Sequence, residues 1–280
     1  MDNYLKTSYN LNDAEVVSVI DELSLWSAPY GLKLLDKINY RKNITAVDIG
    51  SGLGFPLLEV AMRLGNSCKV FGIDPWEAAV ERTKKKIEIY GISNVKMISG
   101  VAEKIPLPDN SFDLIISNNG LNNVNNLKAV LAECGRISRT GAQLVFNFNT
   151  DKTMNEFYSV LENVLLEKNM QKELDLMKKH IYKKRKPVEE FQILLENNGF
   201  TVIETLLDEF SITFVDGTTM LNHFLMKLAF IESWKEIIPE EKQGEIFKEI
   251  EKRLNKIAES KGSIKLTIPY ILMNCEKTGA

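Results

Sequence analysis

Val47-Asp48-Ile49-Gly50-Ser51-Gly52-Leu53-Gly54 is an apolar run that ends in an acid and then opens into glycine at every second position. The apolar half reads as a buried strand, and residues 56–64 behind it have helical spacing. A glycine-rich turn between strand and helix lets a ligand reach the backbone with no Cβ in the way. It also points the free N–H groups of the helix at that ligand. A dinucleotide-binding turn has the spacing G-x-G-x-x-G. Here the third glycine, Gly54, comes one residue early and Phe55 stands in its place. A turn alone does not need three alternating glycines after a strand-terminal acid, so the stretch points to an adenosine-type ligand in a register that disfavours NAD.

Working outward, the chain alternates strand and helix for about a hundred residues. Strand signals at 44–49, 68–73, 95–98, 112–117 and 142–147 are separated by helical patterns at 56–64, 76–90 and 127–137. Such alternation predicts a parallel sheet covered by helices on both faces. Ahead of it, 13–38 reads as helical, with Asp13 as N-cap and Val16, Val17, Ile20 and Leu23 on one face. Pro29 and Gly31 are expected to break that run before a second helix over 32–38. Beyond the alternation, 151–186 is helical and rich in Lys and Glu, and Pro187 opens a helix closed by Gly199. A strand at 201–212, helices at 220–238 and 239–260 and a strand at 264–274 complete the chain.

The 280 residues can bury a sizeable core, and a net charge of −3 gives no reason to expect a polyanion partner. Cys68, Cys134 and Cys275 are far apart and odd in number, which predicts neither disulfides nor a metal site and fits a reducing, cytoplasmic setting. The start Met1-Asp2-Asn3-Tyr4-Leu5-Lys6 lacks a signal-peptide layout. No apolar run approaches the ~20 residues of a membrane span, so no membrane insertion is expected.

Asp74 closes the second strand, about 20 residues after Gly54, where an acid can accept both ribose hydroxyls of an adenosine. It also suits an N-cap, since Asp74-Pro75 begins the next helix. Trp76 is placed either to flank the ribose and adenine or to join the core. The fourth strand ends in Ser117-Asn118-Asn119-Gly120-Leu121-Asn122-Asn123-Val124, at the carboxyl edge where open α/β sheets bind ligands. Asn118 is favoured there as a working residue, and Asn122 and Asn123 as turn formers. The run 178–186 holds Lys178, Lys179, Lys183, Lys184, Arg185 and Lys186, but acids flank it on both sides. A solvated helix end is therefore favoured over a nucleic-acid site. His223, within a helical segment, is a weak candidate for a general base beside Asn118.

The D-x-G-x-G-x-G pattern of Asp48 to Gly54 resembles motif I of the class I S-adenosylmethionine (SAM) methyltransferases. The segment from Gly100 to Asp113, the string Gly120-Leu121-Asn122-Asn123-Val124, Leu25 to Leu32, Gly199-Phe200 and 265–272 are similar to the methyltransferase-11/25 branch, which includes ubiquinone/menaquinone C-methyltransferases. Asn118-Asn119-Gly120 is not the Asn/Asp-Pro-Pro-Tyr motif of nitrogen-directed base methylation. The resemblance implies a Rossmann-like α/β fold of seven strands in the order 3-2-1-4-5-7-6, strand 7 antiparallel. It implies a single domain over 1–280, with a SAM-binding core at about 40–150 and helical caps at about 1–38, 151–186 and 216–262. It implies that Asp48, Gly50, Ser51, Gly52, Gly54, Asp74, Pro75, Trp76, Ala102, Glu103, Asn118 and Asn119 surround SAM. Val101 stands where the family carries an adenine-binding acid, which leaves adenine to Ala102, Glu103 or apolar contact. The expected activity is methyl transfer to a small-molecule acceptor, leaving S-adenosylhomocysteine. An RNA methyltransferase and a catalytically inactive SAM-binding protein are the alternatives, and a homodimer is compatible with the sequence.

Overall fold

The computed structural model describes residues 3–21 and 25–279. Seven strands form one sheet: β1 (Thr45–Ile49), β2 (Lys69–Asp74), β3 (Val95–Ser99), β4 (Phe112–Asn118), β5 (Ser138–Asn149), β6 (Phe200–Phe214) and β7 (Ile264–Lys277). Their order is β3-β2-β1-β4-β5-β7-β6. β1 runs parallel to β2 and β4, β2 to β3, and β4 to β5, whereas β7 lies antiparallel to β5. The sheet order and the reversed seventh strand are those the resemblance implied. The helices are α1 (Asn3–Lys6), α2 (Ala14–Ile20), α3 (Ser27–Asp36), α4 (Leu57–Leu64), α5 (Glu77–Tyr90), α6 (Leu127–Ile137), α7 (Asn155–Glu167), α8 (Gln171–Lys184), α9 (Val188–Glu196), α10 (Gly217–Asn222), α11 (Phe224–Ala229), α12 (Ile231–Lys235) and α13 (Glu240–Lys261).

The chain divides into two compact units. The sheet unit comprises Leu11–Asn149, Lys186–Asp208 and the chain from Tyr270 onward. Alternation along its strands sends Val47, Ile49, Ile73, Ile115, Leu144 and Phe146 to one face, where they meet Leu127, Val130 and Leu131 of α6 and Phe191 and Leu195 of α9. The opposite face carries α4, whose Leu57 fills the place that a Cβ on Gly72 would take, 2.4 Å away. β1 is buried almost throughout, as expected for a central parallel strand. Asp13 caps α2 as its sequence position predicts, accepting from the Glu15 N–H at 2.8 Å. Leu23, the last apolar position expected on that helix, lies outside the described residues.

Two expected helix boundaries are corrected. Pro29 and Gly31 do not break the chain, because α3 runs from Ser27 to Asp36 through both. Pro29 stands in the first turn, where a missing N–H costs nothing. Gly31 is inside the helix because its neighbours demand it: a Cβ there would lie 2.2 Å from the Phe55 ring and 3.1 Å from the Asn118 amide. The expected helix at 220–238 is three short ones, α10, α11 and α12. The break after α10 comes at His223, whose backbone turns extended (φ −65°, ψ 138°) while its Nδ1 accepts from the Leu225 N–H at 3.3 Å. A side-chain acceptor offered at that point substitutes for the carbonyl of a continuous helix.

The helical unit comprises the residues up to Asn10, Thr150–Arg185 and Glu209–Pro269. Its core is organised on Trp234, which is fully buried, stacks on Phe157 at 3.7 Å and donates its indole N–H to the Tyr158 hydroxyl at 3.1 Å. The long helix α13 buries Ile246, Phe247, Ile250, Leu254 and Ala258, a stripe at helical spacing. Residues 11–38 group with the sheet unit, and 151–185 belong to the helical one. Among the described residues, no helix is long and apolar enough to cross a membrane.

Candidate functional site

The loop between β1 and α4 is held from three sides. The N–H groups of Gly50 and Ser51 both donate to the Ile73 carbonyl, at 2.9 and 3.2 Å. From α5, the Thr83 hydroxyl donates to the Gly52 carbonyl at 3.2 Å and Lys86 reaches the Leu53 carbonyl at 2.6 Å. Lys86 and Arg82 are in turn paired with Asp21. On the third side is the turn Gly120–Asn123 after β4. A Cβ on Gly50 would lie 2.9 Å from the Gly120 Cα, and one on Gly120 would lie 2.5 Å from the Ile49 carbonyl. These two loops therefore meet backbone to backbone, at the switch point between β1 and β4. Gly52 differs: it has φ 49° and nothing lies within 4 Å of the place its Cβ would take. Gly54 closes the turn against Thr83 and Leu58, at 3.0 and 3.1 Å from its would-be Cβ.

Asp74 sits at the end of β2 and faces the loop. Its two carboxylate oxygens accept from the Gly52 N–H at 2.7 Å and the Trp76 N–H at 2.8 Å. Its sequence reading as a helix-start residue and as a loop-facing acid thus hold together. Burial raises its pKa above the ordinary carboxylate value, and the two N–H groups oppose the rise. Each oxygen keeps a further lone pair. Pro75 is exposed and Trp76 half-buried, with its indole N–H given to the Leu11 carbonyl at 2.7 Å.

Asp48 is wholly buried on β1, and neither of its oxygens has a hydrogen-bond partner. Burial pushes its carboxyl up to about 8, the Asp74 charge adds to this, and the Leu57 backbone N–H, close by but outside hydrogen-bond geometry, pulls the other way. The neighbouring Ser51 hydroxyl is equally buried and equally without a partner. Buried polar atoms in a native protein are nearly always paired, and those that are not call for a ligand, an ion or a water. An unpartnered carboxyl, an open glycine and a carboxylate with lone pairs to spare together suit a ligand that offers a cation and hydroxyls.

At the end of β4, Asn118 is held from two sides: its amide donates to the Ser27 carbonyl at 2.9 Å and its oxygen accepts from Asn147 at 2.9 Å. Asn119 takes the left-handed conformation (φ 59°) and its side chain accepts from Asn122 at 2.6 Å. Asn122 also donates to Asn149, which donates to the Tyr30 hydroxyl at 2.6 Å. Sequence reading did not single out Tyr30, Asn147 or Asn149. The signal was present in Phe146-Asn147-Phe148-Asn149, where asparagines recur at a strand's period of two in an otherwise apolar stretch. Lys86 left no comparable signal, since lysines are ordinary on a helix such as α5.

Val101 is exposed and Ala102 buried in the loop after β3. Glu103 uses one carboxylate oxygen to accept from the N–H groups of Asn125 and Asn126, at 2.8 and 3.1 Å. It thereby braces this loop against the start of α6. His223 belongs to the helical unit as the cap of α11, so its Nδ1 is already an acceptor, and burial followed by the Lys227 charge lowers its pKa. In the basic run, Lys178, Lys179, Lys183 and Lys184 are exposed while Arg185 is buried.

Against known proteins, a family model described as a methyltransferase domain matches residues 40–259. The demethylmenaquinone methyltransferase of Geobacillus stearothermophilus is 33% identical over 108 residues, which is 39% of this chain and 46% of that protein. The chain thus spans about half the length of the curated relatives it matches. Among solved structures, a SAM-dependent methyltransferase from Aquifex aeolicus has a TM-score of 0.51 at 22% identity, covering 69% of this chain and 92% of that one. The geranyl diphosphate C-methyltransferase of Streptomyces coelicolor A3(2) has a TM-score of 0.56 at 14% identity, covering 99% and 88%. With a family model spanning most of its length and a sheet of the matching order, the chain belongs to the methyltransferase-domain family of SAM-dependent enzymes.

Proposed function

We propose that this protein transfers the methyl group of SAM to a small-molecule acceptor by in-line displacement. The observation that carries the reading is the buried, unpartnered carboxyl of Asp48 beside the open face of Gly52. Both features fit the cofactor, which offers an ammonium group and a narrow, flat body. When bound, SAM supplies an activated methyl on a sulfonium, so the protein's task is to hold and orient. Asp48 would take the ammonium, directly or through a water, with Ser51 beside it. Asp74 would use its spare lone pairs for the ribose hydroxyls, with Pro75 and Trp76 as the adjacent wall. Because Glu103 is committed to the α6 backbone, adenine would rest on Val101 and the Ala102 backbone. Asn118 and Asn119 would line the methyl end. A neutral amide there suits an acceptor that is already nucleophilic, and orientation within about 3 Å of the methyl then supplies the acceleration. The helical unit is proposed to carry acceptor specificity.

A small-molecule acceptor is supported by the name of the curated relatives, which act on demethylmenaquinone. It is also supported by Arg185, which is withdrawn from the surface that a polyanion would need. Calorimetry with SAM, S-adenosylhomocysteine and NAD tests the cofactor reading. Binding of the first two and not of NAD is expected, and Asp74→Ala should weaken it at least about tenfold, the loss of charge-assisted hydrogen bonds. NAD binding without S-adenosylhomocysteine binding would overturn it. Release of S-adenosylhomocysteine in the presence of a panel of small acceptors tests turnover. Binding without turnover on any of them, or turnover on RNA alone, would replace the small-molecule reading.

A further inference from the structure

Arg185 ends α8 in the helical unit and is only 7% exposed. Its backbone is fixed, with the N–H given to the Ile181 carbonyl at 2.9 Å. Its guanidinium lies over the Tyr158 ring, 5.2 Å from the centroid. A guanidinium has five N–H donors. Nη1 is fully buried and has no hydrogen-bond partner, and no carboxylate among the described residues pairs with the guanidinium. The aromatic face offsets part of the cost of the buried charge, and so does the field of the α8 carboxyl end, but neither satisfies an N–H. A buried cation left this way is strongly disfavoured unless something completes it.

We propose that Arg185 and Tyr158 form an oxyanion-binding site within the helical unit, for the carboxylate or phosphate group of a small ligand. The fork of the guanidinium matches either group through two parallel hydrogen bonds. Tyr158 is 4% exposed, and its hydroxyl, having accepted from Trp234 at 3.1 Å, keeps its own proton to give. The stack of Phe157 on Trp234 at 3.7 Å fixes the ring on which the guanidinium rests, so the site is organised before a ligand arrives. His180, whose ring centroid is 6.4 Å from that of Tyr158, stays neutral near pH 7: burial first, then the Arg185 charge, brings its pKa down to about 4. The site therefore suits an anionic group: Arg185 is its buried cation, and the exposed Lys183 and Lys184 beside it add to the positive field. It goes beyond the methyl-transfer reading and does not depend on it, since it needs neither SAM nor turnover.

The test is calorimetry and thermal unfolding of the full chain with inorganic phosphate, benzoate and, as a neutral control, benzamide, at ionic strength matched with chloride. Wild type should bind at least one of the two anions saturably, not benzamide, and should unfold at a higher temperature when it does. Which anion binds more tightly separates a phosphate ligand from a carboxylate one. Arg185→Met should weaken that binding by about ten- to a hundredfold, the loss of a bidentate charged contact. Without ligand it should unfold no lower than wild type, because an uncompensated charge has been removed. If Arg185→Met does not fold, Arg185→Lys decides: it keeps the charge but loses the fork, and should bind the preferred anion more weakly. No saturable anion binding by wild type, or binding by the Arg185 variants as tight as wild type, overturns the proposal.

Discussion

At the residue scale, Asp48 carries the most consequence. Its carboxyl is pushed up to about 8 in the fold, by burial and then by Asp74. In the unfolded chain it ionises near the ordinary value of about 4. Across that window the folded protein holds a proton that the unfolded one has released, so ligand-free stability falls as pH rises. One proton contributes at most about 1.4 kcal/mol per pH unit. Urea denaturation from about pH 5 to about pH 8 should show this fall, and Asp48→Asn should flatten it. A wild type whose slope equals that of the variant would show that Asp48 is already ionised. An ammonium group docking on Asp48 reverses the balance, so SAM binding should release a proton that Asp48→Asn does not release. Calorimetry in buffers of different ionisation heat measures this directly.

At the scale of elements, Gly31 makes the sharpest case. In an exposed helix, Gly→Ala gains about 1 kcal/mol of stability. Here the added methyl meets Phe55, directly behind the glycine loop, so Gly31→Ala should instead cost about 1–3 kcal/mol and weaken SAM binding. Denaturation and calorimetry on one variant check both halves. This glycine also marks where sequence reading stopped. The strands, the glycine loop and Asp74 were legible because each is local: an apolar run, a turn composition, an acid at a strand end. Gly31 looked like a helix breaker because the reason for it, Phe55, lies 24 positions on in the chain. The break at His223 was hidden likewise, since an imidazole that caps a helix has the same helical spacing as one packed inside it. Asn118 was legible as a strand-end residue, but its partners Ser27 and Asn147 come from elements that only the fold brings to it.

At the scale of the whole molecule, two strands belong to both compact units: β6 leaves the sheet unit after Asp208, and β7 enters it at Tyr270. Melting either unit takes part of a strand from the other, so both should unfold in one transition. Trp26 and Trp76 lie in the sheet unit and Trp234 in the helical unit. Within any one variant that keeps a tryptophan in only one unit, fluorescence and far-UV circular dichroism should therefore show the same urea midpoint, and two separated midpoints in one variant would mean independent units. A last consequence comes from Glu103. By gripping the amides of Asn125 and Asn126, it joins the loop after β3 to the segment that follows the asparagine turn. These two loops, proposed above to border the cofactor, are thus yoked, and a disturbance at one should be felt at the other. On the proposed function, a cofactor analogue altered only in its purine should then shift the acceptor's KM, and Glu103→Ala, which removes the acceptor oxygen, should uncouple the two in a double-perturbation cycle.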